Sequence, residues 1–333
     1  MEFVFRPDNH STQTKLQQLI YAINEAISNG ELTEGDPLPS VNKLSRQSGL
    51  SRDTVFKAYS ILKQRSVISS TPTKGYFINS LSFKVMMLLD DFSAFKEQLY
   101  NSFRKNLPEN YSVDLLFHHY NPDVFEQLIL NSLGRYSMYI VMNINHNRIE
   151  NVVKKIDPDK LLILDMGETN DGDKGDIAYI TQDFTFGAFD CLKKGVSLIR
   201  KYSELNLVFP DSVSHPKEFI NSFVYFCKTS NIKHSLIKNI ESKDIEKGRA
   251  FLVMRDIDLV YIIKQCYLKK LEPGKDVGLI SYNDTPMKEI VANGITTISV
   301  DFCQMGMRAA RFIENKKKLF ETLSPRLIIR KSL

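Results

Sequence analysis

The sequence predicts a multidomain chain: a small α+β head over residues 1–79, then a larger α/β portion over 80–333 built on parallel sheets. Three observations carry this. At 333 residues the chain is longer than one ordinary compact domain. Its first eighty residues show helical spacing of apolar positions and then a short hairpin pattern. From Phe83 onward, short apolar runs alternate with amphipathic stretches, the signature of parallel strands covered by helices.

Residues 1–13 read as a loose arm. Leu16, Leu19, Ile20, Ile23, Ala26 and Ile27 fall on one face of a helix over Lys15–Ser28, which Asn29-Gly30 ends. Gly35, Pro37 and Pro39 mark a turn. Ser40 caps a second helix, about Val41 to Ser48, and Gly49 breaks it. Ser51 caps a third, about Arg52 to Arg65, with Val55, Ala58, Tyr59 and Leu62 inward. Val67–Ser70 and Tyr76–Asn79 are short strands joined by a turn containing Pro72, Lys74 and Gly75. Beyond them KVMMLL, VDLLF, MYIVM, LLILD, IAYI, LNLVF, AFLVM and VGLISY are eight buried-strand candidates, enough for two α/β lobes. Residues 167–176 form a polar loop, and Asn315–Lys318 read as a solvated helix end.

Charge is unevenly spread. The whole chain carries +5, whereas Pro37–Ser80 holds seven basic residues (Lys43, Arg46, Arg52, Lys57, Lys63, Arg65, Lys74) against Asp53 alone. A compact basic segment beside a near-neutral remainder is the footprint of a nucleic-acid-binding module. The helices 41–48 and 52–65, joined around Gly49-Leu50-Ser51, have helix-turn-helix order, in which the second helix enters the major groove. Its start offers Ser51, Arg52, Asp53 and Thr54 to bases and phosphates, with Arg52 suited to guanine. Lys43, Arg46 and Lys57 add phosphate contacts. Lys74 and Gly75 at the hairpin tip suit the adjacent minor groove.

The stretch 14–78, with its G-E-L, G-D-x-L-P-S, S-R-D-T-V and a wing ending G-Y-F, closely resembles the GntR-family winged helix-turn-helix. It departs from the family at Asn42 and Phe56, where a basic residue is frequent and can contact DNA. The resemblance implies a DNA-binding surface of Ser40, Asn42, Lys43, Arg46, Ser51, Arg52, Asp53, Thr54, Lys57, Lys74 and Gly75.

At the other end, the strand Val277–Ser281 runs into Tyr282-Asn283-Asp284. Ligands bind at the carboxyl ends of strands in open α/β sheets. A carboxylate and an amide there suit sugar hydroxyls, and an aromatic ring can cover a pyranose face. The competing reading is that Asp284 or Thr285 caps the helix beginning at Pro286.

DVGLISYNDTPMKEIVANGITTISVDFCQMGMRAARFIE, the closing LIIRKS and IAYITQDFTFGAFDCLKKG resemble the effector domain of the LacI family, a type I periplasmic-binding-protein-like fold. That resemblance implies two lobes, about 83–181 with 295–318 and about 182–294 with 319–333, the chain crossing near Asp183, Asn293 and Leu319. It implies effector contacts at Asp183, at Asn283 or Asp284, and at Asp301 or Phe302, and suggests the Arg255-Asp256 turn, where either Asp256 or Asp258 is the inward carboxylate. The loop Asp90-Asp91-Phe92 is expected to face the same cleft. Phe92 and Phe186 are either core aromatics or sugar-stacking rings.

The whole resembles hybrid regulators of the arabinose-repressor type. It implies a cytoplasmic homodimer on a near-palindromic double-stranded operator, controlled by a sugar effector (L-arabinose, L-fucose or a related sugar) and acting on carbohydrate-utilisation genes. Effector closure of the cleft then shifts the spacing of the two heads.

Other classes find little support. No apolar run approaches membrane-spanning length, and the start MEFVFRPDNHSTQTK lacks the pattern of an export signal. The four cysteines are scattered and read as reduced thiols, mostly buried. His118-His119 lack a third ligand at metal spacing, so no metal is expected. GxSxG, HExxH and Walker-type loops are absent, and no lysine has a Schiff-base context, so neither an enzyme nor a cofactor is expected. The rival reading is a regulator whose second part mainly mediates assembly or binds a non-sugar ligand.

Overall fold

The computed structural model describes residues 3–65, 67–79, 83–142, 144, 147–165, 177–211, 216, 218–315 and 317–333. The polar loop 167–176, most of the linker at 79–82, and Lys316 lie outside them.

The head comprises α1 (Lys15–Ser28), α2 (Val41–Ser48), α3 (Arg52–Gln64), β1 (Ile68–Thr71) and β2 (Gly75–Ile78). Each helix starts on a hydroxyl cap. Thr14 accepts from the Gln17 N–H in a capping box, Ser40 from Lys43 and Ser51 from Thr54. Gly49 ends α2 in the left-handed region at φ 73°, which allows α3 to follow after two residues. The faces anticipated from spacing are buried: Leu19 and Ile23 from α1, Leu44 from α2, and Val55, Tyr59 and Leu62 from α3 form one core. The buried Tyr59 hydroxyl donates to the Pro39 carbonyl at 2.8 Å, tying α3 to the residue before the α2 cap. β1 and β2 pair antiparallel from Ile68↔Ile78 to Thr71↔Gly75.

Contacts group the chain into two units. The first is Met1–Asp91, Leu107–Leu162 and Ile313–Lys316; the second is Phe92–Asn106, Ile163–Phe312 and Lys317–Leu333. After the head come β3 (Phe83–Leu89), α4 (Ala94–Asn106), β4 (Tyr111–Phe117), α5 (Pro122–Ser132), β5 (Met138–Met142), α6 (Asn147–Val153) and β6 (Leu161–Leu164). In the first unit β3 pairs parallel with both β4 and β5. The head is fastened there through α1. Tyr21 Oη donates to Asp157 Oδ2 at 2.7 Å, Asn24 Nδ2 to the Gly134 carbonyl at 3.1 Å, and Lys160 Nζ lies 4.1 Å from the Tyr21 ring centroid. His118 is buried, its Nε2 3.1 Å from the Met142 carbonyl and its ring edge-on to Phe125; His119 is exposed.

The chain continues through β7 (Ala178–Gln182), α7 (Gly187–Lys194), α8 (Val196–Ile199), β8 (Glu204–Val208), α9 (Glu218–Thr229), β9 (His234–Ile237), β10 (Arg249–Val253), α10 (Asp256–Leu268), β11 (Val277–Tyr282), α11 (Pro286–Ile290), β12 (Thr296–Ser299), α12 (Phe302–Asn315), β13 (Phe320–Leu323) and β14 (Arg326–Ile328). In the second unit a six-stranded sheet runs β14-β12-β11-β10-β8-β9, parallel except for β14. Phe219, Phe223 and Phe226 of α9 pack against it with Leu205, Leu252 and Ile280. β13 pairs parallel with β7.

All eight anticipated strands form. Lobe membership at the end of the chain differs from expectation. β12, expected in the first lobe, pairs with β11 from Ile280↔Thr296 to Tyr282↔Ile298. β13, expected in the second, pairs with β7 instead. By sheet membership the chain therefore changes over after β12 and again after β13, later than expected, because strand pairing decides membership and sequence order does not. Cys191, Cys227 and Cys266 are buried and Cys303 is exposed. No helix among the described residues is long and apolar enough to cross a membrane.

Candidate nucleic-acid and effector sites

The head presents one polar face. With Val55, Ala58, Tyr59 and Leu62 turned inward, the same α3 exposes Arg52, Asp53, Phe56 and Lys57. Ser51 and Thr54 are partly spent on the helix start, since the Thr54 N–H donates to Ser51 Oγ at 3.1 Å. Arg52, Asp53 and Phe56 border an open cleft of about 630 Å³ with Ser40 and Asn42 at the start of α2 and Tyr76 of the hairpin. Lys43 and Arg46 are exposed on α2. Lys74 and Gly75 are exposed at the wing tip, where Gly75 sits at φ 70° and the Lys74 N–H donates to Thr71 Oγ1. All eleven residues anticipated for DNA lie on α2, α3, their N-terminal caps and the wing of one small domain.

The residues anticipated for an effector are more committed to the protein itself. At the end of β11, Arg330 forks onto Asp284: Nη1 to Oδ1 and Nη2 to Oδ2, both 2.8 Å, with Nη1 also donating to the Ile295 carbonyl at 2.8 Å. Burial alone raises the Asp284 pKa, but the hydrogen bonds and charge of Arg330 bring it below the ordinary carboxylate value. Asp284 does not cap α11; Thr285 holds the cap position without a side-chain bond. Asn283 sits at φ 58°, and its buried Oδ1 has no hydrogen-bond partner. Tyr282 is buried edge-on to Phe219, so its ring is not available to cover a sugar. Its hydroxyl donates to Gln182 Oε1 at 3.2 Å, and Gln182 Nε2 donates to Asp165 Oδ1 at 2.7 Å.

After β10, Arg255 forks onto Asp258 through Nε and Nη2, each at 2.8 Å. Asp258 is the buried, inward carboxylate, while the exposed Asp256 meets the buried Lys288 ammonium at 2.8 Å. Lys288 also donates to the backbone carbonyls of Asn283 and Tyr282. Burial pushes its pKa down, against the opposing pull of Asp256. Asp183 Oδ1 accepts from the Thr185 and Phe186 N–H groups, and Asp301 Oδ1 from Gln304, so both brace the starts of helices. Phe302 is buried against Phe95, with ring centroids 4.7 Å apart, and belongs to the core. Phe92 and Phe186 are exposed, which removes the core reading for both. Asp91 donates its N–H to Asp90 Oδ1 in the first unit.

Sequence reasoning missed Gln182, Asp165, Lys288 and Arg330. All four take their partners from the fold, and none stands in a local pattern that marks it.

The chain thus joins two recognisable pieces, a winged helix-turn-helix and a domain of parallel-strand sheets with helices between the strands. Residues 15–78 match the family of bacterial regulatory proteins called gntR, and residues 210–333 match the periplasmic binding protein-like domain. The head is 38% identical over 65 residues to the uncharacterized HTH-type transcriptional regulator YjiR of Escherichia coli K12, a match covering 20% of this chain and 14% of that protein. The chain spans about a seventh of the length of the curated relatives it matches. By structure it is similar to the trehalose repressor of E. coli, with TM-score 0.59 and 13% identity over 74% of this chain and 100% of the other. It is also similar to a LacI-family transcriptional regulator of Lactobacillus casei solved with bound sucrose, with TM-score 0.61 and 14% identity over 75% and 99%. At these identities the similarity is one of fold.

Proposed function

We propose that the chain is a DNA-binding transcriptional regulator whose head grips a near-palindromic duplex under the control of a small-molecule effector, a monosaccharide or related sugar, held by its second domain. The observation that carries this reading is the cleft that brings Arg52 and Asp53 of α3 together with Ser40 and Asn42 at the start of α2 and Tyr76 of the wing, beside the exposed Lys43, Arg46 and Lys57, on a gntR-type head joined to a periplasmic-binding-protein-like domain. Arg52, with Asp53 and Thr54, serves base edges; Lys43, Arg46, Lys57 and Lys74 serve phosphates, and Ser40, Asn42, Ser51 and Gly75 allow close approach.

For the effector we favour the carboxyl ends of β7, β10 and β11, where Asp183, Arg255, Asp256, Asn283 and Asp284 gather polar groups within the second unit. The unpartnered Asn283 oxygen suits a sugar hydroxyl. The exposed rings of Phe92 and Phe186 are the candidates for stacking, and the exposed Asp301 completes the set. L-Arabinose and L-fucose head the ligands to try, and the work of such a protein is control of carbohydrate-utilisation genes in the cytoplasm.

A homodimer fits the exposed apolar stripe of Ile257, Val260, Tyr267 and Leu268 on α10, with Met287 and Ile290 of α11 also exposed. The test pairs two measurements on the full chain: salt-dependent affinity for duplexes selected from a random library, and melting shifts across pentoses, hexoses, deoxyhexoses and their phosphates. Absence of salt-sensitive duplex binding overturns the regulatory reading. A flat melting response with intact duplex binding leaves the second domain as an assembly module or a site for another ligand class.

A further inference from the structure

On the proposed DNA-reading face every exposed side chain in the first turns of α3 is charged or polar except one, Phe56, which is 57% exposed. A lone exposed aromatic on a protein surface is ordinary. This one has an unusual setting. It stands four residues after Arg52, on the same side of α3, and lines the open cleft that Arg52, Asp53, Asn42 and Tyr76 also border. The inward positions of α3 are filled by Val55, Ala58, Tyr59 and Leu62, so Phe56 adds nothing to the head's core. It brings no charge for phosphate and no group that hydrogen-bonds a base.

The thymine 5-methyl is the apolar feature on the major-groove edges of base pairs, and phenylalanine is one of the side chains that contact it. We propose that Phe56 is a specificity-determining residue that packs on a thymine 5-methyl in each half-site. This rests on the DNA-binding reading and deepens it. Side chains at i and i+4 on a helix are about 5–6 Å apart at Cβ. Successive base pairs rise about 3.4 Å. The thymine read by Phe56 therefore lies one or two base pairs from the base read by Arg52.

The test uses the full chain. Duplexes are selected from a random library with the wild-type protein, and each thymine of the selected site is replaced in turn by deoxyuridine, which deletes only the methyl group. The same series is measured with Phe56→Ala and with Phe56→Lys. In wild type, one thymine per half-site is expected to lose roughly fourfold in affinity when demethylated, the worth of one apolar carbon withdrawn from water. Phe56→Ala is expected to bind more weakly and to be indifferent to the methyl at that position. Phe56→Lys is expected to recover general affinity with a steeper salt dependence, without recovering the methyl response.

Melting temperatures serve as the folding control, since Phe56 lies outside the core. An identical deoxyuridine profile in wild type and Phe56→Ala overturns the assignment, as does a selected site with no methyl-sensitive thymine within two base pairs of the Arg52-dependent position. Failure of the wild type to bind any duplex in a salt-sensitive way overturns the DNA-binding reading instead, so the two failures are distinguishable.

Discussion

Asp284→Asn separates two roles for the residue at the end of β11. As an effector ligand alone, Asp284 would affect sugar affinity and leave the empty protein unchanged. The structure instead makes it one half of a clasp, with both carboxylate oxygens 2.8 Å from the Arg330 guanidinium and the two side chains only 20% and 15% exposed. Breaking a largely buried pair by removing one charge costs about 3–5 kcal/mol. Arg330 keeps its 2.8 Å bond to the Ile295 carbonyl in the variant, which argues for the lower end, about 3 kcal/mol. With an m-value of about 2 kcal/mol/M, the urea midpoint falls by about 1.5 M. The pH dependence has a definite sign. The Asp284 pKa is depressed in the folded protein, so the pair's stabilisation is fully present above the unfolded aspartate value of about 3.9 and is lost as pH falls through the lower folded value. The gap between wild type and Asp284→Asn is therefore flat from about pH 7 to pH 5 and closes below about pH 4. Arg330→Met combined with Asp284→Asn is expected to be less harmful than the sum of the single changes. Urea melts of the four proteins provide the assay. An Asp284→Asn midpoint equal to wild type at pH 7 refutes the clasp.

Gly306→Ala places a Cβ 2.2 Å from the Leu99 carbonyl oxygen and 2.9 Å from the Phe103 nitrogen, both backbone atoms, so α12 and α4 must separate. About 3 kcal/mol of stability should be lost, and an unchanged thermal melt counts against this close packing. Arg52→Ala should weaken duplex binding roughly tenfold or more with no change in melting temperature; unchanged affinity removes Arg52 from the reading face. Ile257→Asp, on the exposed stripe of α10, should shift the protein toward monomer in analytical ultracentrifugation while the empty monomer stays folded; an unaltered sedimentation profile clears this face of an assembly role.

The head was legible in the sequence because its determinants are local. Ser40, Gly49 and Ser51 announce caps and a break, and the apolar periodicity of α1 and α3 needs no distant partner to be read. The strands of the second domain were legible for the same reason, as unbroken apolar runs. The four-residue β9 and β13 and the three-residue β14 carry too little pattern, and the sheets to which β12 and β13 belong are fixed by pairings with strands far away in sequence. The candidate effector residues lay at the right ends of the right strands, yet their partners were hidden. Arg330 is 46 residues from Asp284, and Gln182 is 100 residues from Tyr282. A carboxylate at a strand end reads the same whether it awaits a hydroxyl or already holds an arginine. Only the fold distinguishes them.

The bonds from α1 to Asp157 and Gly134 bear on any attempt to transplant this head. A chimera joined at residue 79 would carry over Leu19, Ile23 and the rest of the small core, but would strand the Tyr21 hydroxyl and the Asn24 amide on one side of the seam and their acceptors on the other. The exchangeable piece is larger than the helix-and-wing module. It must bring matching occupants for the turn at Gly134 and the short helix near Asp157, or the donor's α1 must be recut to suit the host.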